Sequence, residues 1–127
     1  MVDRLPLAGC RVLVIEDEYF IADDMSRAFV ERGADVVGPI GDLQSALNQV
    51  RLEGFEVAVV DLNLRNEMAY AVADELQRQD IPFVFATGYN QSMIPARFAD
   101  VKRWEKPFDE GQLIADVERL CFAARAS

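Results

Sequence analysis

The chain has 127 residues, 51% of them hydrophobic and 28% charged, with a net charge of −9 and no histidine. That length suits one domain, able to bury roughly two-thirds of its unfolded surface. The acidic balance argues against direct nucleic-acid binding, because it repels phosphates, and without histidine any metal site must use oxygen donors, which suits Mg²⁺, Ca²⁺ or Mn²⁺.

Residues 1–10 read as a loose N-terminal arm. Leu7, Ala8, Gly9 and Cys10 match a lipoprotein cleavage box, but the residues before it include Asp3, Arg4 and Pro6. They hold no apolar core of about 7–15 residues, so lipidation is not expected. No apolar run approaches the ~20 residues of a membrane span. A cytoplasmic protein is expected, with Cys10 and Cys121 as buried free thiols in a reducing compartment.

Residues 11–16 (RVLVIE) are a β-branched run that ends in three acids, Glu16, Asp17 and Glu18. Ile21, Met25, Ala28 and Phe29 then recur at helical spacing, and Gly33 stands where a helix ends. Residues 35–38 predict a short second strand around Val36 and Val37. Leu43, Ala46, Leu47 and Val50 mark a second helix, with Asp42 as its N-cap and Gly54 just past its end. Residues 57–64 (VAVVDLNL) carry four apolar residues straight into Asp61, the pattern of a strand buried on both faces. Ala69, Val72, Ala73 and Leu76 predict a third helix with Glu67 in its first turn. Residues 82–86 (PFVFA) predict a fourth strand, ended by Thr87 and Gly88.

A fourth helix over 91–98 is weakened by Pro95, which drives Ile94 from helical angles, so it should be short, irregular or mobile. Residues 101–105 (VKRWE) suit an edge strand, where charge discourages pairing with other chains. Trp104 there reads as core or helix-contact filler. Leu113, Ile114, Val117, Leu120 and Ala124 form the last helical stripe. Five strand–helix repeats predict a flavodoxin-like (βα)5 α/β fold, doubly wound with strand order 2-1-3-4-5, in one domain over 1–127.

In such a sheet sites form beyond the C-terminal strand ends, at the point where strand order reverses. Glu16 and Asp17 end the first strand and Asp61 the third, so three carboxylates should converge. Gathering them is costly unless a cation joins them, and Mg²⁺ fits a set of oxygen donors. Thr87 and Lys106 reach the same edge from the fourth and fifth strands. Together they read as a phosphoryl-transfer site with Asp61 as nucleophile, Mg²⁺ and Lys106 as charge partners, and Thr87 as a donor.

Glu16-Asp17, Asp61, Thr87 and Lys106-Pro107, in this order, resemble the receiver domain of bacterial two-component response regulators, the CheY-like fold. The resemblance spans essentially the whole chain. It implies that Asp61 is phosphorylated by a sensor histidine kinase or a phosphotransfer protein. It also implies that Asp17 binds Mg²⁺ directly, Glu16 through water, and Asn63 through its backbone carbonyl, and that the Lys106–Pro107 peptide is cis. Phe85-Ala86-Thr87-Gly88-Tyr89 resembles the "FAT GUY" subgroup, often single-domain receivers whose kinases tend to be of the HWE or HisKA2 kind. A typical receiver carries Tyr or Phe three residues before the lysine. This chain has Arg103 there, and Tyr89 is the expected substitute switch.

The resulting expectation is a phosphoacceptor signalling domain with no output domain, not an enzyme, acting through a downstream protein partner bound over the fourth helix, fifth strand and fifth helix. A phosphate sink and an unphosphorylated adaptor are the alternatives. A haloacid-dehalogenase-type phosphatase would need an acid two residues after its nucleophile, where Asn63 stands. A flavodoxin would meet repulsion between Glu16, Asp17, Glu18 and the flavin phosphate, and no GxGxxG or P-loop motif occurs.

Overall fold

The computed structural model describes residues 5–88 and 94–126. Five parallel strands form one sheet: β1 (Arg11–Ile15), β2 (Asp35–Ile40), β3 (Val57–Val60), β6 (Phe83–Thr87) and β7 (Arg103–Glu105). They lie in the order β2-β1-β3-β6-β7, which is the 2-1-3-4-5 order of the flavodoxin-like fold. Four helices cover the sheet: α1 (Tyr19–Glu31), α2 (Leu43–Leu52), α3 (Tyr70–Arg78) and α4 (Glu110–Ala126).

Alternation along the strands splits the core in two. Val12, Val14, Val57, Val59, Val84 and Ala86 face α1 and α4, where they meet Met25, Phe29, Leu113 and Val117. Leu13, Ile15, Ala58, Val60, Phe83 and Phe85 face α2 and α3, where they meet Val50, Val72 and Leu76. Every residue of β3 is buried, so each of its valines contributes about 1.5–3 kcal/mol of apolar burial. Those valines leave no freedom in where the strand ends, and Asp61 follows directly.

Several expected elements differ. Residues 5–10 are not a loose arm: Leu7 is fully buried, its N–H donates to the Arg32 carbonyl at 2.7 Å, and the Cys10 N–H donates to the Leu7 carbonyl. Gly33, at φ +97, ends α1 against this turn, where a Cβ would come within 2.9 Å of Leu5. Strand β2 runs on to Ile40 past a cis Gly38–Pro39 peptide. Glu67 does not open a helix. It belongs to a small antiparallel hairpin, β4 (Asn63–Leu64) with β5 (Glu67–Met68), turned by Arg65 and Asn66 at φ 52 and 68. Two successive positive φ values are the signature of a type I′ turn, whose twist suits a two-residue hairpin. The fourth helix over 91–98 is short where it is described, as Pro95 led us to expect: one 3-10 turn, Ala96–Phe98.

Trp104 does more than fill space. Its Nε1–H donates to Asp116 on α4 at 2.9 Å, and the same buried carboxylate takes Lys102 at 3.0 Å and Arg119 at 2.8 Å. Burial pushes the Asp116 carboxyl up, but the two cations outweigh it and hold it below its ordinary value. This cluster fastens α4 to the edge strand.

The expectation of two free thiols is overturned, because Cys10 and Cys121 are joined as a disulfide with Cα atoms 6.4 Å apart. Cys10 precedes β1, Cys121 lies late on α4, and both side chains enter the same half of the core. The fold brings them together across a separation of 111 residues. Closing so long a loop restricts the unfolded chain. Reduction, or Cys121→Ala, is therefore expected to lower the unfolding free energy by about 2–5 kcal/mol. Urea denaturation with and without reductant checks this: the wild-type midpoint should fall on reduction and that of Cys121→Ala should not respond. A wild-type midpoint indifferent to reductant would contradict the bond.

Candidate functional site

The parallel register sets the site. Ile15 pairs with Val60, so Glu16 and Asp61 leave the sheet side by side, and the Asp61 N–H still donates to the Ile15 carbonyl at 2.9 Å. Asp61 and Glu16 are buried, at 5% and 3% exposure, while Asp17 is more open. Carboxylate oxygens of Glu16, Asp17 and Asp61 all lie within 4.8 Å of one another.

On the other side of the switch point, Thr87 stands opposite Glu105 in the β6–β7 register, and the Lys106 N–H donates to the Thr87 carbonyl at 3.0 Å. The Lys106–Pro107 peptide is cis. The Lys106 side chain crosses to the carboxylates, placing Nζ 2.7 Å from Glu16 Oε1 and 3.1 Å from Asp61 Oδ2. A backbone N–H tethers each of the three carboxylates. Glu16 Oε2 accepts the Glu18 N–H at 3.0 Å, Asp61 Oδ1 accepts the Asn63 N–H at 3.1 Å, and Asp17 Oδ2 accepts the Arg65 N–H at 2.9 Å. Asp17, Asp61, Asn63 and Lys106 line one cleft of about 290 Å³, with Glu18 and Gly88 at its edge.

The electrostatics are those of too many carboxylates for one ammonium. Burial pushes Glu16 up to about 7; the Lys106 contact opposes this and nearby Asp61 adds to it. Burial pulls Lys106 down, but Glu16 and Asp61 outweigh it and hold the ammonium above its ordinary value. With Glu16 ionised, three carboxylates against one cation leave two negative charges in excess, which matches a divalent ion bound by hard oxygen donors. The chemistry of the donor set therefore fits Mg²⁺.

Of the residues predicted from sequence, Glu16, Asp17, Asp61, Asn63 and Lys106 come together here. Thr87 reaches the same sheet edge with its side chain fully buried, and Gly88, not Thr87, borders the cleft. Tyr89 lies outside the described residues. Sequence reasoning missed Arg65, whose backbone N–H fixes Asp17 from the hairpin turn; the adjacent Asn66, a residue that tolerates positive φ, was the available signal. Glu18, the third acid of the run, precedes α1 without a side-chain cap bond and stands 3.9 Å from Lys106.

A doubly wound sheet with acids massed at the ends of its two central strands, faced by a lysine from the edge strand, defines a receiver-type α/β domain. The family model for the response regulator receiver domain matches residues 12–118, and the chain belongs to that family. It is thus a receiver domain of the two-component kind. It is 30% identical over 112 residues to the transcriptional regulatory protein PdtaR of Mycobacterium tuberculosis, a match covering 85% of this chain and 55% of that relative's length. Among solved structures it resembles SdrG from Sphingomonas melonis Fr1, at 33% identity and TM-score 0.70 over 89% of this chain and 96% of that one. It also shares its fold with the Thermotoga maritima response regulator TrrA, solved in complex with Mg(2+)-BeF, at 20% identity and TM-score 0.74 over 87% and 98% of the two chains. Among the described residues, no helix is long and apolar enough to cross a membrane.

The raised Glu16 value has a consequence for stability in divalent-free buffer. The folded chain holds a proton on Glu16 up to about pH 7, whereas the unfolded chain releases it near 4.5. That contribution is complete below the unfolded value and is lost as pH rises through about 7. Glu16→Gln cannot lose it. Between pH 5 and pH 8 the wild type should therefore lose about 1–3 kcal/mol relative to Glu16→Gln, measured as the difference between their urea denaturation curves. Parallel pH profiles for the two proteins would remove the claim.

Proposed function

We propose that Asp61 accepts a phosphoryl group from a sensor histidine kinase or a phosphotransfer protein, and that the modified chain signals by binding a protein partner. The observation that carries this reading is the Lys106 ammonium held between Asp61 Oδ2 and Glu16, with Asp17 in the same cleft. One Asp61 oxygen attacks phosphorus as the bond to the donor breaks. Lys106 is placed to face the equatorial oxygens where negative charge is shared. Asn63 holds the other Asp61 oxygen through its N–H, which fixes the carboxylate plane for attack. When bound, Mg²⁺ would supply the remaining positive charge, held by Asp17 and Asp61, by Glu16 through water, and by the Asn63 carbonyl on family analogy.

Asn63 also supports an acceptor over a turnover enzyme, since it offers no acid to protonate a leaving group. With this reading goes a cytoplasmic location. The kinase class suggested by Phe85-Ala86-Thr87-Gly88-Tyr89 is the HWE or HisKA2 kind, and Thr87 with Tyr89 would carry the signal in place of an aromatic ring at position 103. A phosphate-sink role uses the same chemistry without a downstream partner.

Beryllofluoride with Mg²⁺ tests the acceptor without a kinase. Saturable shifts of the Thr87 and Lys106 amide resonances are expected in the wild type, and none in Asp61→Asn. An Asp61→Asn protein that responds as the wild type does would assign the acceptor elsewhere.

A further inference from the structure

Among the described residues, side chains able to ligate a metal gather in two places. One is the acidic cleft around Asp61. The other lies at the opposite end of the sheet, where a carboxylate oxygen of Glu56 and the sulfurs of Cys10 and Cys121 all fall within 4.8 Å of one another. The fold holds each of these residues by means other than the disulfide. Cys10 precedes β1, and its carbonyl accepts the Asp35 N–H at 2.9 Å. Glu56 precedes β3, and its N–H donates to the Arg11 carbonyl at 2.9 Å. Cys121 rides on α4, whose Leu113, Ile114 and Val117 pack into the valine face of the sheet. None of these contacts involves sulfur, so reduction leaves two thiols beside a carboxylate.

Two thiolates and a carboxylate are the donor set of a thiophilic divalent ion such as Zn²⁺, which leaves its fourth position to water. The sulfur donors separate this place from the all-oxygen set at Asp61, which suits Mg²⁺. The Cα atoms of Cys10 and Cys121 are 6.4 Å apart, towards the wide end of the ~4.4–6.8 Å that disulfides span, so rotation of the reduced side chains can part the sulfurs and admit an ion. Glu56 is oriented as ligating carboxylates usually are, by a second shell. Its Oε1 accepts the Arg11 backbone N–H at 2.9 Å, its Oε2 accepts the Arg11 Nε–H at 3.0 Å, and each oxygen keeps a lone pair for a metal. Charge balances as well. The divalent ion and the Arg11 guanidinium neutralise two thiolates and one carboxylate, as a site with buried sulfurs requires. Half-buried Glu56 forms the side nearest solvent.

We propose that Cys10, Cys121 and Glu56 form a redox-gated site for a thiophilic divalent cation of the Zn²⁺ class, closed as the disulfide and opened by reduction. Low-molecular-weight thiols supply the electron pair. One thiolate attacks a protein sulfur and breaks the Cys10–Cys121 bond, and a second resolves the mixed disulfide. The reductant leaves as its own disulfide, and its two thiol protons pass to the protein sulfurs. Binding then replaces both thiol protons with the metal. Oxidation runs the other way: a low-molecular-weight disulfide takes the electron pair, the Cys10–Cys121 bond re-forms and the ion is released. Metal and disulfide compete for the same two sulfurs, so the ion protects the reduced state. The site uses neither Asp61 nor its modification, and it stands or falls independently of the acceptor reading.

The test uses the full chain, reduced with a phosphine, freed of it under argon and kept in excess Mg²⁺ to fill the acidic cleft. Co²⁺ is the probe, because thiolate-to-Co²⁺ charge-transfer absorption reports sulfur ligation, and displacement by Zn²⁺ then gives the Zn²⁺ affinity. The reduced wild type should develop the band and saturate at one equivalent, and the disulfide form should not develop it. Cys10→Ser and Cys121→Ser should each lose most of the band. Glu56→Gln should keep the band but bind more weakly by roughly tenfold or more, since even an outer-shell partner is worth that much. Reoxidation by oxidised glutathione should slow with Zn²⁺ and not with further Mg²⁺. Four results would each overturn the proposal: no band in the reduced wild type, an undiminished band in either serine variant, unchanged affinity in Glu56→Gln, or equal affinity in urea. The last would mark the unfolded chain as the binder. Should the serine variants fail to fold, the comparison of reduced with oxidised wild type, the Glu56→Gln titration and the urea control still decide the matter.

Discussion

The Lys106 ammonium, 2.7 Å from Glu16 and 3.1 Å from Asp61, allows two buried carboxylates to end adjacent parallel strands. Parallel register puts them there: Ile15 opposite Val60 leaves Glu16 and Asp61 no choice but to emerge together. Without the ammonium, that pairing would keep one carboxyl protonated to still higher pH. With it, the pair is held but under-neutralised, which is why burial still raises Glu16 to about 7. The rest of the site adjusts to this constraint. Backbone N–H groups of Glu18, Asn63 and Arg65 each take one carboxylate oxygen, fixing three acids in orientation without adding a full positive charge.

The two-sided core makes that constraint rigid. Apolar side chains above and below β3 lock its position between α1 and α4 on one face and α2 and α3 on the other. At the edge of the sheet the packing is more polar. Asp116 gathers Trp104, Lys102 and Arg119, and Arg103 faces the other way with no ion pair among the described residues. The apolar centre of the sheet thus fixes the site in place, while its edge is held by charged and polar contacts.

Much of this was legible in the sequence, for physical reasons that also explain the omissions. Val57, Ala58, Val59 and Val60 announced a doubly buried strand because burial on both faces demands an unbroken apolar run. Asp61 was conspicuous because a charge directly after such a run has no packing role. Helix stripes such as Met25, Ala28 and Phe29 follow a local period, so α1 could be placed from spacing alone. What escaped was long-range or conformational. The union of Cys10 with Cys121 depends on α4 returning to the start of β1, which no local pattern encodes. The hairpin at Arg65 and Asn66 depends on two positive φ values, for which a single Asn was a weak cue. Asp116 did leave a trace, as an acid among Leu113, Ile114 and Val117, where only a paired charge is tolerated. Pro95 was also a legible cue: it pointed to a short or irregular fourth helix, and the described part is a single 3-10 turn.

The central claim is that Asp61 is the residue that receives the phosphoryl group. Its most direct test is mass spectrometry of the full chain after incubation with acetyl phosphate and Mg²⁺, with borohydride trapping and proteolysis to locate the acyl phosphate. The account predicts a mass gain of one phosphoryl group, a trapped site at Asp61, and no gain when Mg²⁺ is chelated. A modification mapped to another residue, or an Asp61→Asn protein that gains the same mass, would contradict it.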